Sequence, residues 1–126
     1  MTVEEMSERI VECVANRSAA SFPEIIGEIG PEAEGDFQWT IAPNTILWIG
    51  LSDTFVKAFQ LVKDRVRPHP ADPLVYLHDG AALDLPIAKT VPKDGYKSER
   101  WLPVVFNLSD EEKAKRKAAR GTSQKS

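Results

Sequence analysis

The chain has 126 residues, of which 42% are hydrophobic and 28% charged, and its formal net charge is −3. This length predicts one domain, which can bury roughly two-thirds of its unfolded surface without a metal or a disulfide. Cys13 is the only cysteine, and the N-terminus lacks a basic region followed by an apolar run, so we expect a cytoplasmic protein. The longest mostly apolar stretch, residues 45–51, is too short to cross a bilayer, which excludes a membrane-spanning role.

Charge is unevenly distributed along the chain. Residues 1–36 hold nine acidic side chains against two basic ones, residues 37–109 hold eight basic against seven acidic, and residues 110–126 hold six basic against three acidic. A protein that binds duplex DNA with its whole surface is usually strongly basic. We therefore expect any contact with nucleic acid to come from the two later segments.

A capped helix is predicted at the start of the chain. Thr2 and Glu5 have the spacing of a capping box, and apolar residues recur behind them at helical spacing, which indicates a helix over residues 2–16. Cys13 lies on the apolar stripe of this helix. We therefore interpret Cys13 as a small buried hydrophobic side chain that carries no chemistry.

A second, shorter helix is predicted over residues 21–30. Ser21 and Glu24 repeat the capping-box spacing, and the proline between them is tolerated in the first helical turn. Gly30 and the proline after it end the helix. The short link between the two helices predicts an antiparallel or sharply crossed pair.

Strands are predicted next, because residues 37–51 are rich in aromatic and β-branched side chains. Pro43 and Asn44 form a turn that divides the segment into two strands. The three tryptophans of the chain all lie in strand-like segments, where the simplest interpretation is packing of a sheet against helices. These tryptophans are Trp39, Trp48 and Trp101.

A third helix is predicted over residues 52–66, with Ser52 or Asp53 as its cap. Its apolar residues form one stripe opposite polar ones, so one face should be buried. Residues 68–70, a histidine between two prolines, end the helix and are predicted to form a linker. The buried stripe consists of Phe55, Phe59, Val62 and Val66.

The rest of the domain is predicted to be β-structure. We expect strands at residues 74–77, 83–87 and 101–108, with a turn at Asp79 and Gly80, arranged as two hairpins or a three-stranded meander. The basic connection of residues 88–100 is long enough to project from the sheet.

Residues 110–126 are predicted to be a charged tail outside a domain of residues 1–109. Ser109 and Glu112 have capping-box spacing, and acidic residues precede basic ones as the helix dipole prefers. The tail has no apolar stripe, so we expect a helix that frays into disorder over residues 121–126. Its removal should then change stability little.

No catalytic or metal-binding motif is present. The glycines are scattered, no phosphate-binding loop occurs, and two histidines offer few candidate bases, so we predict no enzymatic activity and no cofactor. His69, Asp72 and His78 match no zinc or facial-triad spacing, so we predict no metal site. Carboxylates that converge from distant positions remain an alternative that the sequence leaves open.

The order of the predicted elements resembles that of winged helix-turn-helix domains found in small bacterial and mobile-element proteins. The resemblance covers about residues 2–108 and rests on pattern: the helices 2–16, 21–30 and 52–66, then a hairpin that includes 88–100. A second likeness, which implies no function, is to a group of short bacterial proteins. That likeness is carried by residues 44–52, 76–80 and 101–104.

The first resemblance implies an α+β, winged-helix-like fold with three helices packed on a small antiparallel sheet and a mobile C-terminal tail. It also implies that helix 52–66 enters the major groove of duplex DNA while the wing contacts phosphates. Many winged helices bind proteins instead, so a protein-interaction adaptor or a homodimer is the alternative. The implied DNA-binding residues are Lys57, Gln60 and Lys63 on the helix, with Lys89, Lys93, Lys97 and Arg100 on the wing.

Overall fold

The structure, a computed structural model, describes the backbone of residues 1–78 and 82–124 and the side chains of residues 1–77 and 82–119. This described part has the expected α+β class, with five α-helices and two three-stranded sheets. The helices are α1 (Val3–Asn16), α2 (Phe22–Ile29), α3 (Asp53–Leu61), α4 (Pro73–His78) and α5 (Asp110–Gln124). The strands are β1 (Ala20–Ser21), β2 (Glu34–Ala42), β3 (Thr45–Leu51), β4 (Val66–Pro70), β5 (Arg100–Trp101) and β6 (Val104–Leu108).

The first two helices begin where their capping boxes predict. The Thr2 hydroxyl accepts a hydrogen bond from the Glu5 amide at 3.0 Å, and the Glu5 carboxylate in turn accepts from the Thr2 amide. Ser21 and Glu24 form the same reciprocal pair at the start of α2. These caps satisfy amide groups that the first helical turn leaves without partners.

The strands divide between two sheets rather than one. In the first sheet β6 lies between β1 and β4, and both of its pairings are antiparallel. In the second sheet β3 lies between β2, its antiparallel hairpin partner, and β5, which runs parallel to it. A 3₁₀ turn, Pro31–Ala33, leads from α2 into β2. The expected turn at Pro43 and Asn44 connects β2 to β3.

Aromatic rings join the helices to both sheets in one hydrophobic core. The Phe22 ring on α2 contacts Trp48 of β3, Phe59 of α3 and Phe106 of β6, with ring centroids 5.1 to 6.2 Å apart. Trp101 is 1% exposed, and its ring packs against Trp48 at 5.9 Å. The tryptophans therefore pack the sheets, as predicted.

Helix α3 is shorter than the sequence predicts. Ser52 caps it by accepting from the Phe55 amide at 3.1 Å, but the helix ends at Leu61 instead of residue 66. The predicted stripe is nevertheless buried, since Phe55, Phe59 and Val62 are each at most 3% exposed. The chain leaves the helix because Val66 begins β4, where it pairs with β6.

Two other segments have a different secondary structure from the one predicted. Residues 74–77 lie in α4, not in a strand: Asp72 accepts from the Leu74 amide at 3.0 Å, and Pro73 occupies the first helical position. Residues 68–70 form part of β4 rather than a linker. Their prolines are tolerated because β4 is an edge strand. On its open side no neighbouring strand needs the backbone amide hydrogen bonds that prolines cannot donate.

The predicted wing is not a hairpin. Residues 83–87 form no strand apart from a single bridge between Ile87 and Trp101, and that bridge is parallel. Residues 101–108 contain two strands in different sheets, β5 and β6. Residues 88–100 are therefore an irregular connection rather than the tip of a β-ribbon. The turn expected at Asp79 and Gly80 lies outside the described residues.

The C-terminal tail is helical over residues 110–124, and its first turns contact the domain. Among the described side chains of α5, those of residues 110–119, Glu112 is the buried one, with a side chain 9% exposed. Its carboxylate accepts two hydrogen bonds from Arg65, at 2.9 and 3.4 Å, and one from Arg116 at 3.2 Å. No described side chain of α5 belongs to the hydrophobic core, so ion pairs hold this helix.

Candidate interaction surfaces

The outward face of α3, implied as a recognition helix, carries little net charge. Lys57 and Gln60 are exposed on the helix, and Lys63 is exposed in the turn after it. The Lys57 ammonium lies 2.8 Å from the Asp53 carboxylate, whose hydrogen bond raises the pKa of Lys57. With Asp64 also exposed, two acids balance the two lysines. A face of this kind has weak attraction for phosphate.

The basic connection, residues 88–100, is anchored on the turn of the β2–β3 hairpin. The Tyr96 amide donates to the Pro43 carbonyl at 3.0 Å, and the Asn44 side-chain amide donates to the Tyr96 carbonyl at 2.8 Å. Gly95 has a φ of +72° and lies so close to Pro43 that a Cβ would collide with it. This segment therefore packs against the hairpin turn instead of extending from the sheet.

The basic residues of the connection differ in exposure. Lys89, Lys93 and Lys97 are exposed, and none takes part in an ion pair within the described part of the chain. Arg100 is half-buried: its guanidinium lies 4.9 Å from the centre of the Tyr96 ring and donates to the Ile87 carbonyl at 3.3 Å. Arg100 therefore supports the connection, while the three lysines remain free to contact an anion.

The structure does not combine the two implied DNA-binding groups into one surface. Helix α3 begins after the end of β3 and packs on α1, β2 and the 3₁₀ turn. The connection 88–100 is attached at the other end of β3, about 20 Å away for a seven-residue strand. A winged helix needs its helix and wing side by side on the duplex. The implied residue set is therefore split.

Strand β2 forms a surface that the sequence reasoning missed. It is an edge strand of nine residues, and all but Trp39 and Ala42 are exposed. Its apolar residues Phe37 and Ile41 are 46% and 50% exposed. The strand contains no proline and no basic residue. An open edge of this length offers unpaired backbone groups to another strand.

The other sheet edges of the described fold offer fewer unpaired backbone groups to an added strand. Strand β4 carries Pro68 and Pro70, which cannot donate a backbone hydrogen bond. Strands β1 and β5 have two residues each. Natural edge strands avoid pairing through prolines, short length, charged residues or β-bulges. Strand β2 has two acidic residues near its start, and its register against β3 shifts at several points between Glu34 and Ala42. The alternation of exposed Phe37 and Ile41 was the sequence signal for this surface.

A groove of about 570 Å³ between α1 and α5 contains basic groups that are already engaged. Arg17 contacts two carboxylates of α2 at 3.3 and 3.4 Å, and Arg116 contacts carboxylates of α1 and α5 at 2.8 and 3.2 Å. Of the three basic residues that line the groove, only Lys113 has no such partner among the described ion pairs. The groove therefore has little charge left with which to bind an anion.

The remaining chemistry-bearing groups do not converge. The described residues contain no group of three His, Cys, Asp or Glu side chains placed to hold a metal ion. Cys13 is 3% exposed, and burial is the largest of the effects that raise the pKa of its thiol above its ordinary value, while Arg17 acts in the opposite direction. His69 is exposed on β4, and the side chain of His78 lies outside the described residues. No helix in the described ranges is both long and apolar enough to cross a membrane.

Comparison with known proteins adds no family to this description. No family model, no curated protein and no solved structure matches the chain.

Proposed function

We propose that this protein is a non-enzymatic interaction module that binds another polypeptide along the edge of β2. The observation that carries the proposal is the open nine-residue edge with half-exposed Phe37 and Ile41. Addition of a strand to such an edge supplies backbone hydrogen bonds, and alternate side chains supply specificity. The charge balance on α3 supports this function over major-groove binding.

Selection of displayed nine-residue peptides tests this function. Enriched peptides should alternate apolar and polar residues, and their synthetic forms should bind the native chain but not the Ile41→Lys variant, which places a charge in the contact. Leu74→Lys is the matched control, because Leu74 is an apolar residue that is 67% exposed and lies on α4, not on β2. Failure to enrich any peptide, or equal binding by Ile41→Lys, would contradict the proposal.

Binding of duplex DNA is the second candidate, and it is favoured by the three exposed lysines of the connection, Lys89, Lys93 and Lys97, which have no ion pair among the described residues. Electrostatic binding should weaken steeply as salt rises, and triple substitution of these lysines by alanine should reduce the salt slope by about one for each lost phosphate contact. Absence of binding at low salt would remove this candidate without affecting the first.

A further inference from the structure

We propose that α5 is a hinged strap whose first turns open and close over the surface beside α1 while the rest of the domain stays folded. The Glu112 carboxylate is the latch that holds the strap closed. This inference does not involve the edge of β2 and is independent of the proposed function. Three features of α5 support it: the charged contacts that hold the helix, the groove beside it, and its attachment at Ser109.

The contacts that hold α5 closed are charged and few. Arg65, in the turn after α3, donates to Glu112 of α5 and to Glu8 of α1. Arg116 donates in the same way to Glu112 and to Glu12 of α1, so two arginines join three parts of the fold around one carboxylate. Glu8 and Glu12 are 62% and 57% exposed, and ion pairs of exposed carboxylates contribute little to stability. The closed position therefore depends mainly on Glu112, whose side chain is 9% exposed.

Apolar packing does not hold the helix. No described side chain of α5 belongs to the hydrophobic core, and the groove of about 570 Å³ lies between α5 and the C-terminal end of α1. A helix of this length is only marginally stable in water without tertiary contacts. When the latch opens, α5 therefore loses its helical order together with its position, and the groove becomes open surface.

The attachment of α5 places the hinge at Ser109. The Ser109 amide donates to the Arg65 carbonyl at 2.9 Å. Leu108, directly before it, pairs with Val66 in the first sheet, so the chain is fixed up to this point. Ser109 caps α5 by accepting from the Glu112 amide, but the Glu112 carboxylate bonds the two arginines instead of the Ser109 amide. Glu112 thus serves to dock the helix rather than to complete its local cap.

Amide hydrogen exchange of the full native chain, followed by NMR at several low urea concentrations, tests the strap. Amides of residues 113–119 should exchange through a local opening, so their protection should be lower than that of α3 and independent of urea. Amides of α3, which packs in the core, should exchange through global unfolding and lose protection as urea rises. Equal protection and equal urea dependence in the two helices would mean that α5 opens only when the domain unfolds, and would overturn the proposal.

Two matched variants test whether Glu112 is the latch. Glu112→Gln should lower the protection of residues 113–119 about fivefold or more, because a neutral amide does not replace the charge-assisted bonds to the two arginines. Glu111→Gln is the control, since Glu111 is exposed in the same helical turn and loses the same favourable interaction with the helix dipole. It should change this protection about threefold or less. Equal effects of the two variants would assign the opening to the charge at the start of α5 and overturn the latch.

Salt gives a readout on the native chain that apolar docking would not produce. Raising the ionic strength from about 0.01 to 1 M shortens the range of charge interactions from about 30 to 3 Å. The protection of residues 113–119 should therefore fall in the native chain and fall less in Glu112→Gln, where the latch is already absent. Native protection that does not respond to salt, or an equal response in Glu112→Gln, would contradict the proposal. The urea and salt measurements on the native chain decide the outcome even if Glu112→Gln fails to fold.

Discussion

The anchorage of α5 by Glu112 leads to a prediction in which the size of the effect follows from the structure. Glu112→Gln keeps the shape of the side chain but removes the charge that accepts three guanidinium hydrogen bonds. Hydrogen bonds to charged groups contribute about 1.5 to 3 kcal/mol each when they are buried. Arg65 is 33% exposed and keeps a 2.8 Å contact with Glu8, and Arg116 keeps one with Glu12.

We therefore expect Glu112→Gln to lower the free energy of unfolding by about 1 to 3 kcal/mol, well below the sum of the three bonds, because solvent screening and the remaining carboxylates offset part of the loss. Urea unfolding monitored by circular dichroism measures this change. Glu111→Gln is the matched control, since Glu111 is an exposed neighbour of the same charge, and it should change stability by no more than about 0.5 kcal/mol.

Acid sensitivity provides an independent check of the same network. The Arg65 hydrogen bonds, together with the charge of Arg116, hold the pKa of Glu112 below its ordinary value. A carboxyl with a lowered folded pKa stabilises the protein fully above the ordinary glutamate pKa of about 4.3, and this contribution is lost as pH falls towards the folded pKa. Below about pH 4 the stabilities of the native and Glu112→Gln proteins should converge. Equal stability of Glu112→Gln and Glu111→Gln at neutral pH would refute the reasoning.

Other predictions concern the tail, the core, α3 and the thiol. Removal of residues 110–126 should lower the free energy of unfolding, measured with urea, by about as much as Glu112→Gln does, because no described side chain of α5 enters the hydrophobic core. The sequence alone had suggested almost no loss of stability. Phe59→Ala should lower the free energy of unfolding by about 3 to 5 kcal/mol, because the Phe59 ring is 2% exposed and packs against Phe106 with ring centroids 4.7 Å apart. An unchanged melting temperature would contradict the burial of this face of α3. Joint replacement of Lys57 and Lys63 by alanine should change the melting temperature little, because the ion pair lost from α3 is exposed, and should weaken duplex binding only if α3 contacts DNA. The thiol of Cys13 should react with Ellman's reagent at the rate of unfolding; fast labelling of the native protein would contradict its burial.

Local signals in the sequence were sufficient for the first half of the fold. The capping boxes at Thr2 and Ser21 act between residues three apart, so they fix the starts of α1 and α2 without tertiary contacts. The turn at Pro43 and Asn44 and the buried stripe of α3 likewise follow from turn preferences and helical spacing. The burial of Cys13 followed from its place on the stripe of α1. These predictions agree with the structure because the local preferences and the tertiary packing favour the same conformation.

The candidate site could be predicted only in part. The exposure of Lys89, Lys93 and Lys97 follows from their polarity, but their distance from α3 depends on the anchoring of Tyr96 on the hairpin turn, which is a long-range contact. The open edge of β2 depends on strand order, and no local pattern states which strand lacks a neighbour. The apolar residues of the surface used in the proposed function were visible in the sequence, but the strand order that leaves its edge open was not.

The sequence by itself determined the α+β class, the capped N-terminal helices and the apolar stripe of α3, since each depends on residues within one or two helical turns. Tertiary contacts, together with the local cap at Asp72, decided the conformation of residues 74–77. Tyr76 donates to the Val104 carbonyl at 2.6 Å and its ring packs at a tilt against Trp48, which favours a helix over the strand that its neighbours prefer. Tertiary contacts also decided that residues 68–70 pair with β6 and that Glu112 meets Arg65, 47 positions away. Contacts between distant residues govern these features, and their energies exceed the local preferences from which a sequence is read.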